Sequence, residues 1–176
     1  MYDDGFHNIT SIDISNVVVK QMQDKYKEKY PSMKYLQMDC RQMAFEQGSF
    51  DAVIDKGTLD SILCGDSSGP NAEQMLNEIY RVLSSMGVYI CITYGFPENR
   101  ESYFKNSVFE WDLTIHKVAK PTISTATALT STDDKEKKNY HFIYVLKKKG
   151  KSGMANIPPV LTSSEIKKEE NQPTNP

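Results

Sequence analysis

Three aspartates, each at or near the end of an apolar stretch, have the chemistry to bind a polar ligand. They are Asp13, Asp39 and Asp55. One carboxylate can accept hydrogen bonds from both hydroxyls of a ribose, a second can accept one from an adenine amino group, and a third can favour a nearby cation. A strand-end aspartate is also a common turn residue, so the three in this order are more informative than any one of them.

The last of these aspartates opens the segment DKGTLD, residues 55–60, which directly follows an apolar stretch. In an open parallel sheet, ligands bind at the carboxyl ends of the strands. We therefore expect Asp55, Lys56 and Asp60 to lie beside a binding site. Thr58 is interpreted as the N-cap of a short helix, since threonine is favoured at that position.

Strand and helix patterns alternate along the chain and must position these residues. Two amphipathic helices are predicted, over 17–30 and 71–87, the second ending at Gly87. This order predicts an α/β fold with a mainly parallel sheet covered on both faces. The predicted strands are ITSIDIS (9–15), MKYLQMDC (33–40), FDAVID (50–55) and VYICITYG (88–95).

The end of the domain has a different pattern. Strands are predicted over 108–118 and 139–149 without a helix between them, so they are expected to be antiparallel neighbours. The polar connection 119–138 is predicted to be a mobile loop. Residues 151–176 contain little apolar surface and are predicted to be a disordered tail, which leaves 1–150 as the folded domain.

Composition excludes several classes of protein. The chain has 176 residues, 39% hydrophobic and 25% charged, with a formal net charge of -2. This charge argues against a nucleic-acid surface, and no apolar run reaches the length of a membrane span. The three histidines are scattered, so no metal site is expected. Three unclustered cysteines and the absence of a signal peptide favour a cytoplasmic protein.

Several segments are typical of one enzyme family: DGFHNITSIDIS, MDCRQMAFEQGSFDAVIDKGTLDSIL, EIYRVLSSMG, and the pair FEWDLTIHKV and HFIYVLKKKG. Together they resemble the class I S-adenosylmethionine-dependent methyltransferases. More narrowly, they resemble the group that includes the lysine methyltransferases of translation elongation factor 1-alpha, and DKGTLD is the most specific element. The resemblance implies a Rossmann-like sheet with a C-terminal antiparallel pair, S-adenosyl-L-methionine as cofactor, and methylation of a protein lysine or another amine.

The resemblance also implies roles for individual residues. A carboxylate at Asp55 or Asp60 would stabilise the approaching amine as its charge develops. Tyr94 and Phe96 would wall the acceptor channel, with packing in the core or at its rim as the alternative. Lys56 would lie at the substrate entrance, with a solvent-facing or ion-paired lysine as the alternative. For the cofactor, Asp13 would bind the ribose, Ile14 would pack beside the adenine, Asp39 would face the adenine amino group, Met38 and Cys40 would line the pocket, and Asp55 would border the methionine end.

One element of the family pattern is absent from this sequence. Methyltransferases of this type begin with a strand that ends in a glycine-rich loop, and that strand would lie between the strands ending at Asp13 and Asp55. We therefore expect a truncated methyltransferase domain. Two alternatives stay open: a catalytically inactive methyltransferase-like binding module or truncated isoform, and a nucleotide-binding oxidoreductase, against which DKGTLD and the antiparallel pair argue.

Overall fold

A computed structural model describes residues 1–120 and 140–150, and the predicted tail and most of the predicted loop lie outside these ranges. The predicted α/β class is confirmed. A short 3-10 helix occupies Tyr2–Asp4. The strands are β1 (Thr10–Asp13), β2 (Lys34–Gln37), β3 (Phe50–Lys56), β4 (Leu83–Thr93), β5 (Trp111–Ala119) and β6 (Tyr140–Lys148). The helices are α1 (Asn16–Tyr26), α2 (Thr58–Leu63), α3 (Ser68–Val82) and α4 (Pro97–Phe104).

The strands form two sheets. β1 and β2 are parallel, and the second sheet has the order β3-β4-β6-β5. In that sheet β3 and β4 are parallel, and β6 is antiparallel to β5, as the sequence predicts. β6 is also antiparallel to β4, a pairing that the sequence pattern does not predict. Among the described strands β1 pairs only with β2, and β3 pairs laterally only with β4. The interruption between β1 and β3 is the position at which the family resemblance places a further strand.

The hydrophobic core lies between one face of the four-stranded sheet and the helices α2, α3 and α4. Apolar residues recur on α3 at helical spacing, and alternate residues of β4 and β6 meet them. The opposite face of the sheet is less completely covered than the sequence predicts, and Ile54 there is 45% exposed. The core cluster consists of Leu59, Ala72, Met75, Leu76, Ile79, Leu83, Tyr89, Cys91, Phe104, Phe109, Trp111, Phe142, Tyr144 and Leu146.

The predicted end of the second amphipathic helix is wrong. α3 ends at Val82, and Leu83 adopts an extended backbone with φ -71° and ψ 134°. The ammonium of Lys148 on β6 donates to the carbonyl oxygens of Tyr80 at 2.8 Å and Leu83 at 2.9 Å. These bonds satisfy carbonyls that lack helical partners at a helix end. A contact distant in sequence therefore marks the end of the helix, which the apolar pattern could not show.

Other element boundaries also differ from the sequence predictions. α1 ends at Tyr26 and not at Tyr30, and β5 extends to Ala119, the first residue of the predicted loop. Helix α4 was not predicted, because PENRESYF has no apolar period and only Phe104 is buried. This helix matters for the site, since it follows β4 directly.

Candidate functional site

The end of β1 presents an exposed carboxylate beside an exposed apolar side chain. One oxygen of Asp13 accepts a hydrogen bond from the Ser15 amide at 2.7 Å, and the Ser15 hydroxyl in turn accepts one from the Val18 amide at 3.4 Å. This turn begins α1. Ile14 is 66% exposed. Asp13 and Ile14 are therefore accessible to a polar, flat-faced ligand such as a nucleoside.

The loop after β2 holds its aspartate in an ion pair. Asp39 accepts hydrogen bonds from the Arg41 amide at 2.9 Å and from the Arg41 guanidinium, the shortest at 2.7 Å. These bonds lower the pKa of the Asp39 carboxyl. Arg41 also donates to the side-chain oxygen of Asn71 on α3 at 3.0 Å. The loop is thereby attached to α3, and an adenine amino group would share the Asp39 carboxylate with Arg41.

Cys40 follows Asp39 directly and is half-buried. Burial and the negative charges of Asp39 and Asp55 raise the pKa of the Cys40 thiol to about 11. The thiol is thus protonated at neutral pH and packs against the core as a small apolar group. Met38 beside it is half-buried, and its amide donates to the Asp13 carbonyl at 3.0 Å.

Asp55 is buried at the end of β3 and begins α2. Its carboxylate accepts hydrogen bonds from the amides of Thr58 at 2.8 Å and Leu59 at 3.2 Å, and from the Tyr89 hydroxyl at 3.2 Å. Gly57, with φ 82°, occupies the N-cap position, so the expectation that Thr58 is the N-cap is wrong. The Asp55 carboxylate, three residues before Thr58 and four before Leu59, accepts the amide hydrogen bonds that an N-cap side chain usually accepts. The Asp55 carboxylate thus bonds to α2 and to Tyr89 on β4.

Asp60 joins the end of β4 to α4. It accepts hydrogen bonds from the Thr93 hydroxyl, from the Tyr94 amide at 3.0 Å and from the Arg100 guanidinium at 2.8 Å. Burial alone raises the pKa of the Asp60 carboxyl, but these hydrogen bonds outweigh burial, and the pKa lies below 3.8. The carboxylate is therefore ionised at neutral pH and paired with Arg100.

The predicted acceptor-side residues differ in exposure. Tyr94 is 70% exposed, whereas Phe96 is half-buried with its ring 5.6 Å from that of Phe142. Lys56 is exposed at the end of β3. The structure thus brings Asp60 into direct contact with the backbone of Tyr94. Asp13 lies on the separate two-stranded sheet.

Sequence reasoning missed the basic partners of these carboxylates. Arg41 is close in sequence to Asp39 and could have been found as a local turn contact. Arg100 lies forty residues from Asp60 and carries no local signal. Thr93, which accepts from the Arg100 guanidinium at 3.1 Å, was read only as part of a strand.

The residues fit the nucleoside end of S-adenosylmethionine. The carboxylate of Asp13 is exposed to accept from ribose hydroxyls, and Ile14 offers an apolar surface to a flat ring. The described residues contain no group of three histidine, cysteine or acidic side chains that could hold a metal ion. No helix in residues 1–120 and 140–150 is long and apolar enough to cross a membrane.

Comparison with known proteins identifies relatives of this chain. A family model described as "Methyltransferase domain" matches residues 1–91, which include all three strand-end aspartates. The chain is 38% identical over 122 residues to the cow protein named eEF1A lysine and N-terminal methyltransferase, covering 68% of this chain and 18% of that protein. It is 38% identical over 117 residues to mouse EEF1A lysine methyltransferase 4, covering 62% and 46%. The chain thus spans less than half of the length of these relatives.

Solved structures share the fold at low sequence identity. The PH0226 protein from Pyrococcus horikoshii has a TM-score of 0.58 at 17% identity, covering 84% of this chain and 74% of that one. The N-methyltransferase NodS from Bradyrhizobium japonicum, solved with S-adenosylhomocysteine, has a TM-score of 0.57 at 9% identity, covering 79% and 65%. With the family match over more than half of the chain, the strand order and the strand-end carboxylates, the chain belongs to the methyltransferase-domain family, whose cofactor is S-adenosylmethionine.

Proposed function

We propose that this protein is a cytoplasmic S-adenosylmethionine-dependent methyltransferase that acts on a lysine of elongation factor eEF1A. The observation that supports this most strongly is the family match over 1–91, which contains the strand ends carrying Asp13, Asp39 and Asp55. The relatives named for eEF1A lysine methylation extend the support to the acceptor. Membrane, nucleic-acid and metal partners are not part of the proposal.

One set of residues in the chain binds the cofactor, and another set borders the entrance for the acceptor. Asp13 accepts from the ribose hydroxyls, Ile14 packs on the adenine, and Asp39 shares its carboxylate with the adenine amino group. When bound, the cofactor supplies a methyl group that is transferred by in-line displacement. Positioning donor and acceptor supplies much of the acceleration of such a reaction. Lys56, Tyr94 and Phe96 border the entrance for the acceptor.

The two carboxylates assigned to catalysis accept hydrogen bonds from backbone amides of the protein itself. Asp55 holds the first amides of α2, and Asp60 holds the segment that carries Tyr94. We therefore propose that their contribution to the acceptor amine is electrostatic and geometric. For Asp60, hydrogen bonds hold the pKa of the carboxyl below its ordinary value, so it does not accept a proton near neutral pH.

The test is a calorimetric titration of the 176-residue chain with S-adenosylhomocysteine, followed by transfer of a radiolabelled methyl group to purified eEF1A. The matched variants are Asp13→Asn and Asp51→Asn, because Asp51 is an exposed aspartate on β3 that no role in the site is assigned to, and its carboxylate accepts a hydrogen bond from the Ser84 hydroxyl on β4 at 3.0 Å. We expect binding that Asp13→Asn weakens at least tenfold and Asp51→Asn leaves unchanged. Equal effects of the two variants would argue against the assigned ribose site.

A second candidate function is a methyltransferase-like binding module without catalysis. The interruption of the sheet between β1 and β3, together with the complete engagement of Asp55, favours it. The same two measurements separate the candidates: a module of this kind binds S-adenosylhomocysteine or eEF1A but transfers no methyl group to any lysine of eEF1A.

A further inference from the structure

The connection that follows β4 is held at three points of its backbone. The Tyr94 amide donates to the Asp60 carboxylate at 3.0 Å, and the Gly95 amide donates to the Thr93 hydroxyl at 3.0 Å. The Gly95 carbonyl accepts from the Tyr144 hydroxyl on β6 at 2.9 Å. Three different elements therefore fix two consecutive residues, which is unusual for a surface connection.

Arg100 on α4 bonds to two of the side chains that hold this connection, Asp60 and Thr93. Its guanidinium donates to Asp60 at 2.8 Å and to the Thr93 hydroxyl at 3.1 Å, and the ion-paired side chains are only 14% and 16% exposed. The guanidinium also packs against Gly95 so closely that any side chain there would collide with it. Glycine at 95 and arginine at 100 are thus matched to each other.

The side chain carried by this fixed backbone is exposed. Tyr94 is 70% exposed, and the ring of His141 lies 5.6 Å from its ring. The ammonium of Lys120 lies 5.6 Å from the centroid of the Tyr94 ring. An aromatic face attracts cations, and here a lysine of the chain itself already uses that face. The ring lies just past the carboxyl end of β4, where ligands bind in sheets of this type.

We infer that Tyr94 binds the cationic side chain of the methyl acceptor and that the Asp60–Arg100 ion pair is the device that positions it. Lys120 occupies the ring face in the acceptor's place. This inference rests on the proposed function for the nature of the acceptor. Rigid support of a binding aromatic side chain increases affinity, because any conformational freedom that the side chain has in the free protein must be lost on binding.

A second ion pair of the same kind provides a matched control. Arg81 is bonded to Glu78 at 2.7 Å, and it also donates to the carbonyls of Met43 at 2.8 Å and Phe45 at 2.6 Å. This pair also fixes a connection, but it lies at the amino end of β4, since Leu83 begins that strand. Loss of either arginine removes a structural ion pair, but of the two only Arg100 is bonded to Asp60, the carboxylate that accepts from the Tyr94 amide.

The experiment compares the full chain with Arg100→Gln, Arg100→Lys and Arg81→Gln. The rate of hydrogen exchange of the Tyr94 and Gly95 amides measures how firmly this backbone is held. We expect Arg100→Gln to raise this rate at least tenfold, Arg100→Lys to retain most of the protection, and Arg81→Gln to leave the rate unchanged. Unchanged exchange in Arg100→Gln would overturn the positioning role, and equal acceleration in Arg81→Gln would show a general loss of stability.

Binding of purified eEF1A, measured by biolayer interferometry, reads the acceptor contact. We expect Arg100→Gln and Tyr94→Ala to raise the Kd for eEF1A at least fivefold, while Tyr94→Phe, which keeps the ring, stays within twofold. Unchanged binding in Tyr94→Ala, or no eEF1A binding by the unsubstituted chain, would overturn the inference.

Titration with S-adenosylhomocysteine separates this inference from the proposed function. We expect Arg100→Gln and Tyr94→Ala to bind it as the unsubstituted chain does, within twofold. If the unsubstituted chain binds eEF1A through Tyr94 but not S-adenosylhomocysteine, the inference stands and the proposed catalysis fails. If these variants lose S-adenosylhomocysteine binding in parallel with eEF1A binding, the effect is on the cofactor site and the inference fails.

Discussion

The N-terminal segment, residues 1–37, and the C-terminal segment, residues 50–120 and 140–148, are held together in different ways. Every member of the core cluster among the described residues belongs to the C-terminal segment. The N-terminal segment contributes one buried hydrophobic residue to the described part of the chain, Val19, at 6% exposure. It relies instead on partly exposed tyrosines, such as Tyr26 and Tyr30 with ring centroids 5.5 Å apart.

This difference divides the candidate site. Two of the residues assigned to the nucleoside, Asp13 and Ile14, lie in the N-terminal segment, which has little buried apolar surface, while Tyr94 and its supports lie against the main core. Burial of apolar surface is the dominant favourable contribution to folding. We therefore expect the acceptor side to be rigid in the free protein and the cofactor side to become ordered when ligand binds.

The largest expected effect is on the C-terminal core. Leu76 on α3 is 1% exposed, so Leu76→Ala leaves a cavity and should lower the free energy of unfolding by about 2–5 kcal/mol. Val17 in the N-terminal segment is 65% exposed, and Val17→Ala should change the free energy of unfolding by less than about 0.5 kcal/mol. Urea denaturation measures the free energy of unfolding of both variants. Similar losses for the two variants would contradict the contrast between the two segments.

The next effect concerns local opening. Amides of β1 and β2 should exchange about 100-fold faster than those of β4 and β6, a difference of about 2.7 kcal/mol in opening free energy. S-adenosylhomocysteine should slow exchange in β1 and β2 more than in β4. Hydrogen exchange followed by mass spectrometry measures this. Uniform protection across both sheets would show that the N-terminal and C-terminal segments unfold as one unit.

A smaller effect is expected where Asp55 begins α2. Asp55→Asn weakens the bonds to the Thr58 and Leu59 amides and should cost about 1–2 kcal/mol of unfolding free energy. Asp51→Asn, on the same strand but exposed, is the control and should cost less than about 0.5 kcal/mol. A comparison of urea midpoints decides the matter; equal midpoints would mean that Gly57 alone suffices to start the helix.

The smallest effect is a pH dependence from Asp60. Its pKa in the folded protein lies below the ordinary value of 3.8, so its stabilising contribution is complete above that pH and is lost as the pH falls below 3.8. The unfolding free energy of the unsubstituted chain should therefore converge on that of Asp60→Asn between about pH 4 and pH 2, closing a gap of about 0.2–1 kcal/mol. Thermal melts across this range measure the gap, and a gap that widens in acid would contradict the assignment.

The sequence predicts the fold more completely than the contacts of the site. Strand patterns and the amphipathic α3 follow from short-range alternation of apolar and polar residues, so the α/β class and the antiparallel pair could be predicted. The strand-end positions of Asp13, Asp39 and Asp55 could be predicted for the same reason. The end of α3 could not, because Lys148 decides it from 65 residues away.

The sequence by itself determined which residues carry charge at the strand ends, and the motifs around them identified the family. Only the tertiary structure decided what those charges contact. Asp60 and Arg100 are forty residues apart and meet because α2 and α4 both pack at the end of β4. Hydrogen bonds act over about 3 Å, so the role of a carboxylate depends on the neighbours that folding brings to it. The same residue type is therefore exposed to solvent at Asp13 and buried among hydrogen-bond donors at Asp55.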